Sequence, residues 1–107
     1  MKTVRLGKTD LKVSRIGMGG IPIQRPTEAE AIKVIHRPLD LGVNWIDTAV
    51  GYGNSEERIG KALATGGRRE QVIIATKTTG KDKCTALEHL ERSLKCLQTD
   101  YIDIWQL

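Results

Sequence analysis

Residues 43–77 read VNWIDTAVGYGNSEERIGKALATGGRREQVIIATK, and this stretch decides the fold. It opens on a short strand-like run, Val43 to Asp47, followed by loop residues Thr48 to Gly53. Asn54 or Ser55 then caps a helix, and Asn54 with Glu57 has the spacing of a capping box. Ile59, Ala62 and Leu63 share one face of that helix, and Gly66-Gly67 ends it. Val72 to Thr76 is a continuous run of apolar, mostly branched residues, the pattern of a strand covered on both sides. A strand, a helix and a buried strand in succession make the crossover unit of a parallel sheet.

The flanking sequence repeats the unit. On the N-terminal side, Thr27 and Glu30 form a capping box after Pro26, and Ile32, Ile35 and Leu39 line one helical face as far as Gly42. Pro38 lies inside this helix, where it removes a donor and crowds the preceding turn, so a kink or an early end near Arg37 is expected. Ser14 to Met18 reads as a buried strand running into Gly19-Gly20. Before it, Val4 and Leu6 alternate with polar neighbours, Gly7 to Asp10 supplies a turn, and Leu11 to Val13 resumes the alternation: a short hairpin. On the C-terminal side a helix starts between Asp82 and Thr85 and carries Leu87, Leu90, Leu94 and Leu97 at helical spacing. Gln98 stands where a helix end favours glycine, which makes the turn less comfortable. Tyr101 to Leu107 is a fourth strand. The predicted order is a β-hairpin followed by β-α-β-α-β-α-β.

With 107 residues there is room for one small domain with a modest core. Hydrophobic residues make up 39% of the chain, which suits a soluble globular protein. The net charge of +4 comes from scattered Lys and Arg, and Phe is absent, so nucleic acid is not an expected partner. No apolar run approaches the roughly 20 residues that span a bilayer, and MKTVRLGKTD lacks the apolar core of a secretory signal. No membrane association and a cytoplasmic location are the expectations. Cys84 and Cys96, on one helix, would lie about 18 Å apart along its axis, beyond disulfide reach. Reduced thiols fit a reducing compartment. No Cys/His spacing suggests a metal site.

A parallel α/β sheet leaves two architectures, a doubly wound sheet and part of a β/α barrel. The doubly wound reading needs a glycine-rich turn opening a helix directly after the first strand. Here Ile21-Pro22 follows the glycines and the helix waits until about Glu28, so that reading fails. In a barrel, Asp47 and Lys77 end neighbouring strands about 4.8 Å apart, at the C-terminal rim where such folds place their sites. Tyr52 lies in the loop above the same rim. A phenol titrating near pH 10 (about 10 in model compounds) is a sluggish proton donor at neutral pH, and an adjacent ammonium stabilises its phenolate. A carboxylate would hold that ammonium in place. Taken singly, each has a structural alternative: a strand-end ion pair, a loop cap, a rim aromatic.

The segments NWIDTAVGYGNSEERIGKAL (44–63) and VIIATK (72–77) resemble the aldo-keto reductases, and the resemblance covers essentially the whole chain. It implies the N-terminal half of a (β/α)8 TIM barrel, with residues 1–107 a partial domain that stops after the fourth barrel strand. A whole barrel takes about 250 residues. The family's catalytic group is an Asp, a Tyr, a Lys and a His, and Asp47, Tyr52 and Lys77 match the first three. The closing run DYIDIWQL (100–107) resembles the strand that carries the His, which would be the next residue. His36 and His89 fall inside predicted helices, away from the rim, and read as surface or helix-packing residues. Asp103 reads as a strand residue hydrogen-bonded within the sheet.

The resemblance further implies hydride transfer from NADPH, with NADH as the alternative, to an aldehyde or ketone. Gly19, Gly20 and Ile21 lie where the family's first loop passes the nicotinamide end, so they and Asp47 are the expected cofactor contacts. The family's phosphate-gripping groups belong to the second half of the barrel. Two further readings stand beside the reductase: a non-catalytic half-barrel that self-associates through exposed strand edges or pairs with a missing half, and an inert truncated product. In either, Ile104, Trp105 and Leu107 would face water or another chain.

Overall fold

Side chains alternate across a strand, so a one-residue step separates the two faces of a sheet. The computed structural model describes all of residues 1–107. Strands β1 (Thr3–Arg5) and β2 (Lys12–Ser14) form an antiparallel hairpin. Strands β3 (Met18–Gly19), β4 (Trp45–Asp47), β5 (Ile73–Lys77) and β6 (Ile104–Gln106) make a parallel sheet in that order. Helices α1 (Glu28–Asp40), α2 (Ser55–Ala64) and α3 (Lys83–Cys96) supply the crossovers. The element order is the expected one. Two single 3₁₀ turns, Pro22–Gln24 and Arg69–Gln71, are additions too short for periodicity to reveal.

Ile46 and Ile74, paired in register, face the helices and are fully buried against Ile59 and Leu63 of α2 and Ile35 of α1. Burying each such side chain contributes about 1.5–3 kcal/mol, so this layer is the main source of stability. The opposite face is concave. Gly19, Trp45, Asp47, Ala75, Ile104 and Gln106 line a hollow of about 550 Å³ there. The hairpin is fastened across the hollow's N-terminal end by Asn44 and Trp45. Asn44 Oδ1 accepts from the Ser14 backbone at 2.7 Å, its Nδ2 donates to the Lys12 carbonyl at 2.8 Å, and Trp45 Nε1 donates to the Ser14 carbonyl at 3.0 Å. The C-terminal rim is left open.

Several local expectations are corrected. The strand expected over Ser14 to Met18 divides: Ser14 pairs in the hairpin and only Met18–Gly19 joins the parallel sheet. Helix α1 does not end near Arg37 but runs through Pro38 to Asp40. Pro38 sits in the last turn, where only one helical bond is lost. That turn is closed by Leu41 N–H donating to the Arg37 and Pro38 carbonyls, and by Val43 N–H donating to Pro38. The capping box at Thr27 and Glu30 is present. Its counterpart at Asn54 is not: Asn54 has φ −90° and ψ 10°, outside the extended region an N-cap needs, and its side chain caps nothing.

At the start of α3, Asp82 accepts from the Thr85 backbone N–H at 2.9 Å and from the Thr85 hydroxyl, which holds its carboxyl below the usual range. At the end of α3, Gln98 adopts φ 53°, the left-handed conformation that favours glycine. Gln98 N–H donates to Lys95 and Thr99 N–H to Leu94, the paired bonds of a Schellman motif. Of the leucines at helical spacing on α3, Leu97 is buried while Leu87 is exposed. Cys84 and Cys96 are both free. No helix is long and apolar enough to cross a membrane.

Candidate active site

The rim is built from the ends of β4 and β5 and the loop that follows β4. The backbone knits these together: Thr48 N–H donates to the Ala75 carbonyl at 2.8 Å, and Val50 N–H to the Lys77 carbonyl at 3.1 Å. The next turn closes through Tyr52 N–H to Ala49 and Ser55 N–H to Tyr52, which fixes where the phenol ring enters. Three side chains from distant parts of the sequence meet as a result. Lys77 Nζ lies 3.0 Å from each Asp47 carboxylate oxygen and 2.7 Å from the Thr48 carbonyl. It also stands 5.0 Å from the centroid of the Tyr52 ring, inside cation–π range.

These contacts define what Lys77 can do. An ammonium carries three protons, and three oxygen acceptors take them, so the charge is held in one place. About a third of each side chain in the Asp47–Lys77 pair is exposed, and such pairs contribute little to stability, at most about 1 kcal/mol. The arrangement serves placement more than stability. The Thr48 carbonyl is the participant that sequence reasoning missed, because a backbone acceptor leaves no mark in residue identity.

Gly19 is paired in register with Asp47, is exposed at the rim, and has open space where a Cβ would project. A flat, uncharged ring can approach the backbone there. Gly20 lies behind the rim and is buried, its N–H donated to the Asp47 carbonyl and its own carbonyl taken by Ser55 Oγ. Both of its backbone groups are thus spent internally. Ile21 is half exposed on the far side of Gly20. The residues present therefore fit the ring end of a nicotinamide through Gly19 and Asp47. His36 and His89 pack between elements instead of joining the rim: His36 Nε2 donates to the Ala62 carbonyl, and His89 Nδ1 bonds the Thr78 hydroxyl, each at 2.7 Å. Asp103 accepts from Ile74 N–H and Arg69, both at 2.9 Å, which ties β6 to β5 at the opposite end. No group of three or more His, Cys, Asp or Glu side chains gathers closely enough to hold a metal ion.

Residues 15–107 match the aldo/keto reductase family model. The chain belongs to the aldo/keto reductase family. Among the curated members, it is 39% identical to the aldo-keto reductase YhdN of Bacillus subtilis, an alignment that covers 100% of this chain and 38% of that protein. It is 41% identical to the methylglyoxal reductase DkgA of Salmonella typhimurium over 80% of this chain and 31% of that one. Among solved structures, the holo form of the aldo-keto reductase AKR11C1 from Bacillus halodurans superposes with a TM-score of 0.90 at 36% identity, covering 100% of this chain and 40% of that one. An aldo-keto reductase from Klebsiella pneumoniae solved with NADPH gives 0.85 at 31% identity, over 97% of this chain and 38% of that one. The chain thus spans roughly two fifths of the length of the aldo-keto reductases it matches, and its parallel sheet and helices are an arc of their β/α barrel.

Proposed function

We propose that residues 1–107 form a partial aldo-keto reductase domain that supplies the proton-delivering side of a carbonyl reductase site. The observation that carries the reading is the Lys77 ammonium, held at 3.0 Å by both Asp47 oxygens and 5.0 Å from the centre of the Tyr52 ring. In this reading Tyr52 delivers the proton to the oxygen of an aldehyde or ketone. Lys77 stabilises the phenolate left behind, and Asp47 with the Thr48 carbonyl fixes Lys77 in place. Bound NADPH, or NADH in its place, supplies the hydride, which no side chain can. Gly19 and Asp47 would lie against its ring end, with Gly20 and Ile21 shaping the loop behind. The two free cysteines accord with a cytoplasmic setting.

The test is NADPH consumption with a simple aldehyde. The 107-residue chain by itself is expected to show no measurable turnover, because its residues fit only the ring end of the cofactor. A chimera in which residues 1–107 replace the aligned segment of the Bacillus subtilis relative is expected to turn over. A folded chimera that binds NADPH yet leaves it unconsumed would argue against this reading.

A second reading concerns association and rests on exposed strand and apolar surface. Strand β6 is paired on one side only, and the concave face opens beside Met18, Trp45 and Ile104. Ile104 and Trp105 are half-buried and so less open than the sequence suggested. Unpaired edges and uncovered apolar surface invite a second copy. Sedimentation of the purified chain is expected to give a discrete dimer, and a monomer at all concentrations would rule this out.

A further inference from the structure

Behind the rim, on the face that packs against the helices, the buried layer changes character. At its centre it is aliphatic, Ile46 and Ile74 against Ile59 and Leu63. Two residues further along each strand it becomes polar. Thr48 and Thr76 there meet Ser55 and Glu56 in the first turn of α2, and all four are between 0% and 4% exposed. Thr76 Oγ1 donates to Glu56 Oε2 at 2.8 Å. Ser55 Oγ donates to the Gly20 carbonyl at 2.8 Å. That uses the only proton of the Ser55 hydroxyl, so in its 2.8 Å contact with Thr48 the threonine must be the donor. The result is a directed chain from Thr48 through Ser55 to Gly20, beside the Thr76–Glu56 bond. A Cβ at Gly20 would come within 2.7 Å of Ser55 Oγ and 2.9 Å of the Asp47 carbonyl, so the first loop is pressed directly onto this layer.

Each member of the layer adjoins a residue of the site. Thr48 follows Asp47, Thr76 precedes Lys77, and Ser55 and Glu56 follow Tyr52 by three and four residues. None of them reaches the concave face. Much of what such buried hydrogen bonds contribute only offsets the cost of burying their polar groups, so their net gain over apolar groups of the same shape is modest. What they add is a fixed length and direction, which aliphatic contacts lack. A proton donor misplaced by about 1 Å loses much of its effect, so direction matters most in this part of the sheet.

We infer that Thr48, Ser55, Glu56 and Thr76 are positioning residues that lock the Tyr52 loop and α2 to the strands carrying Asp47 and Lys77. This rests on the reading of those three residues as the site. The measurement is the NMR shift of the Lys77 side-chain methylene protons in the labelled 107-residue chain. With Nζ over the Tyr52 ring at 5.0 Å from its centroid, these protons are expected to be displaced upfield in the native chain, and Tyr52→Leu sets the undisplaced value. Thr76→Val alone would strand a buried carboxylate, so the paired variant Glu56→Met/Thr76→Val removes both partners at once. It is expected to keep a dispersed spectrum and cooperative melting while the Lys77 displacement is lost, and Thr76→Ser with native Glu56 is expected to retain it. A paired variant that keeps the displacement, or that fails to fold, overturns the inference, as does loss of the displacement in Thr76→Ser. Native and Tyr52→Leu chains with identical Lys77 shifts would remove the Tyr52–Lys77 contact itself, and the site reading with it.

Discussion

Tyr52→Phe in the chimera with the Bacillus subtilis relative is expected to lower kcat for aldehyde reduction by about 10²- to 10⁴-fold, the range spanned by loss of a general acid. KM and NADPH affinity should change little. The substitution removes one oxygen and keeps the ring, so the contact with Lys77 at 5.0 Å from the centroid survives. The turn from Ala49 to Ser55 is held by backbone bonds that the change leaves alone. The loss should therefore fall on the chemical step, the signature of an interaction made in the transition state. Steady-state kinetics beside a fluorescence titration with NADPH separates the two effects. A Tyr52→Phe enzyme within tenfold of the parent would take the proton-donor role away from Tyr52.

Gly60→Ala is expected to lower the stability of the chain by about 2 kcal/mol, a fall in Tm of roughly 10 °C for a domain of this size. In an exposed helix the same change would stabilise by up to about 1 kcal/mol, since alanine is the better helix former. Tertiary packing reverses the sign. Gly60 lies on α2 where the end of α3 crosses it, and a methyl there would press on the Cys96 carbonyl oxygen. It would also stand 2.8 Å from the Leu97 carbonyl carbon and 2.9 Å from its Cα. Those are backbone atoms, which cannot swing aside, and Leu97 is itself buried in the core. Thermal unfolding followed by circular dichroism measures the change, and an unaltered or raised Tm would mean that α3 can move away freely.

Much of this molecule could be read before any coordinate. The Thr27–Glu30 capping box, the Asp82 start of α3 and the alternation in the hairpin all rest on groups within four residues of each other. A linear sequence displays such relations directly. The order of strands and helices followed, and with it the parallel sheet whose strand ends carry Asp47 and Lys77. The left-handed turn at Gln98 belongs to the same class, since a Schellman motif spans only one helix end.

The failures have two causes, one distant and one local. Asn54 and Ser55 offered equal local claims to a helix cap, and the contest was decided about 35 residues away, where the Gly20 carbonyl took the Ser55 hydroxyl and left α2 without a side-chain cap. Pro38 looked like a helix breaker until the Leu41 and Val43 N–H groups closed the turn around it. By itself, then, the sequence determined the order of the helices and strands and that Asp47, Tyr52 and Lys77 come from neighbouring strand ends and the loop above them. Only the tertiary structure decided that a Thr48 carbonyl completes the Lys77 cradle, that a polar layer lies behind the site, and that Gly60 must stay bare. Local hydrogen bonds depend on spacing along the chain, whereas these depend on which distant backbones the packed core brings within 3 Å of one another (about the length of a hydrogen bond).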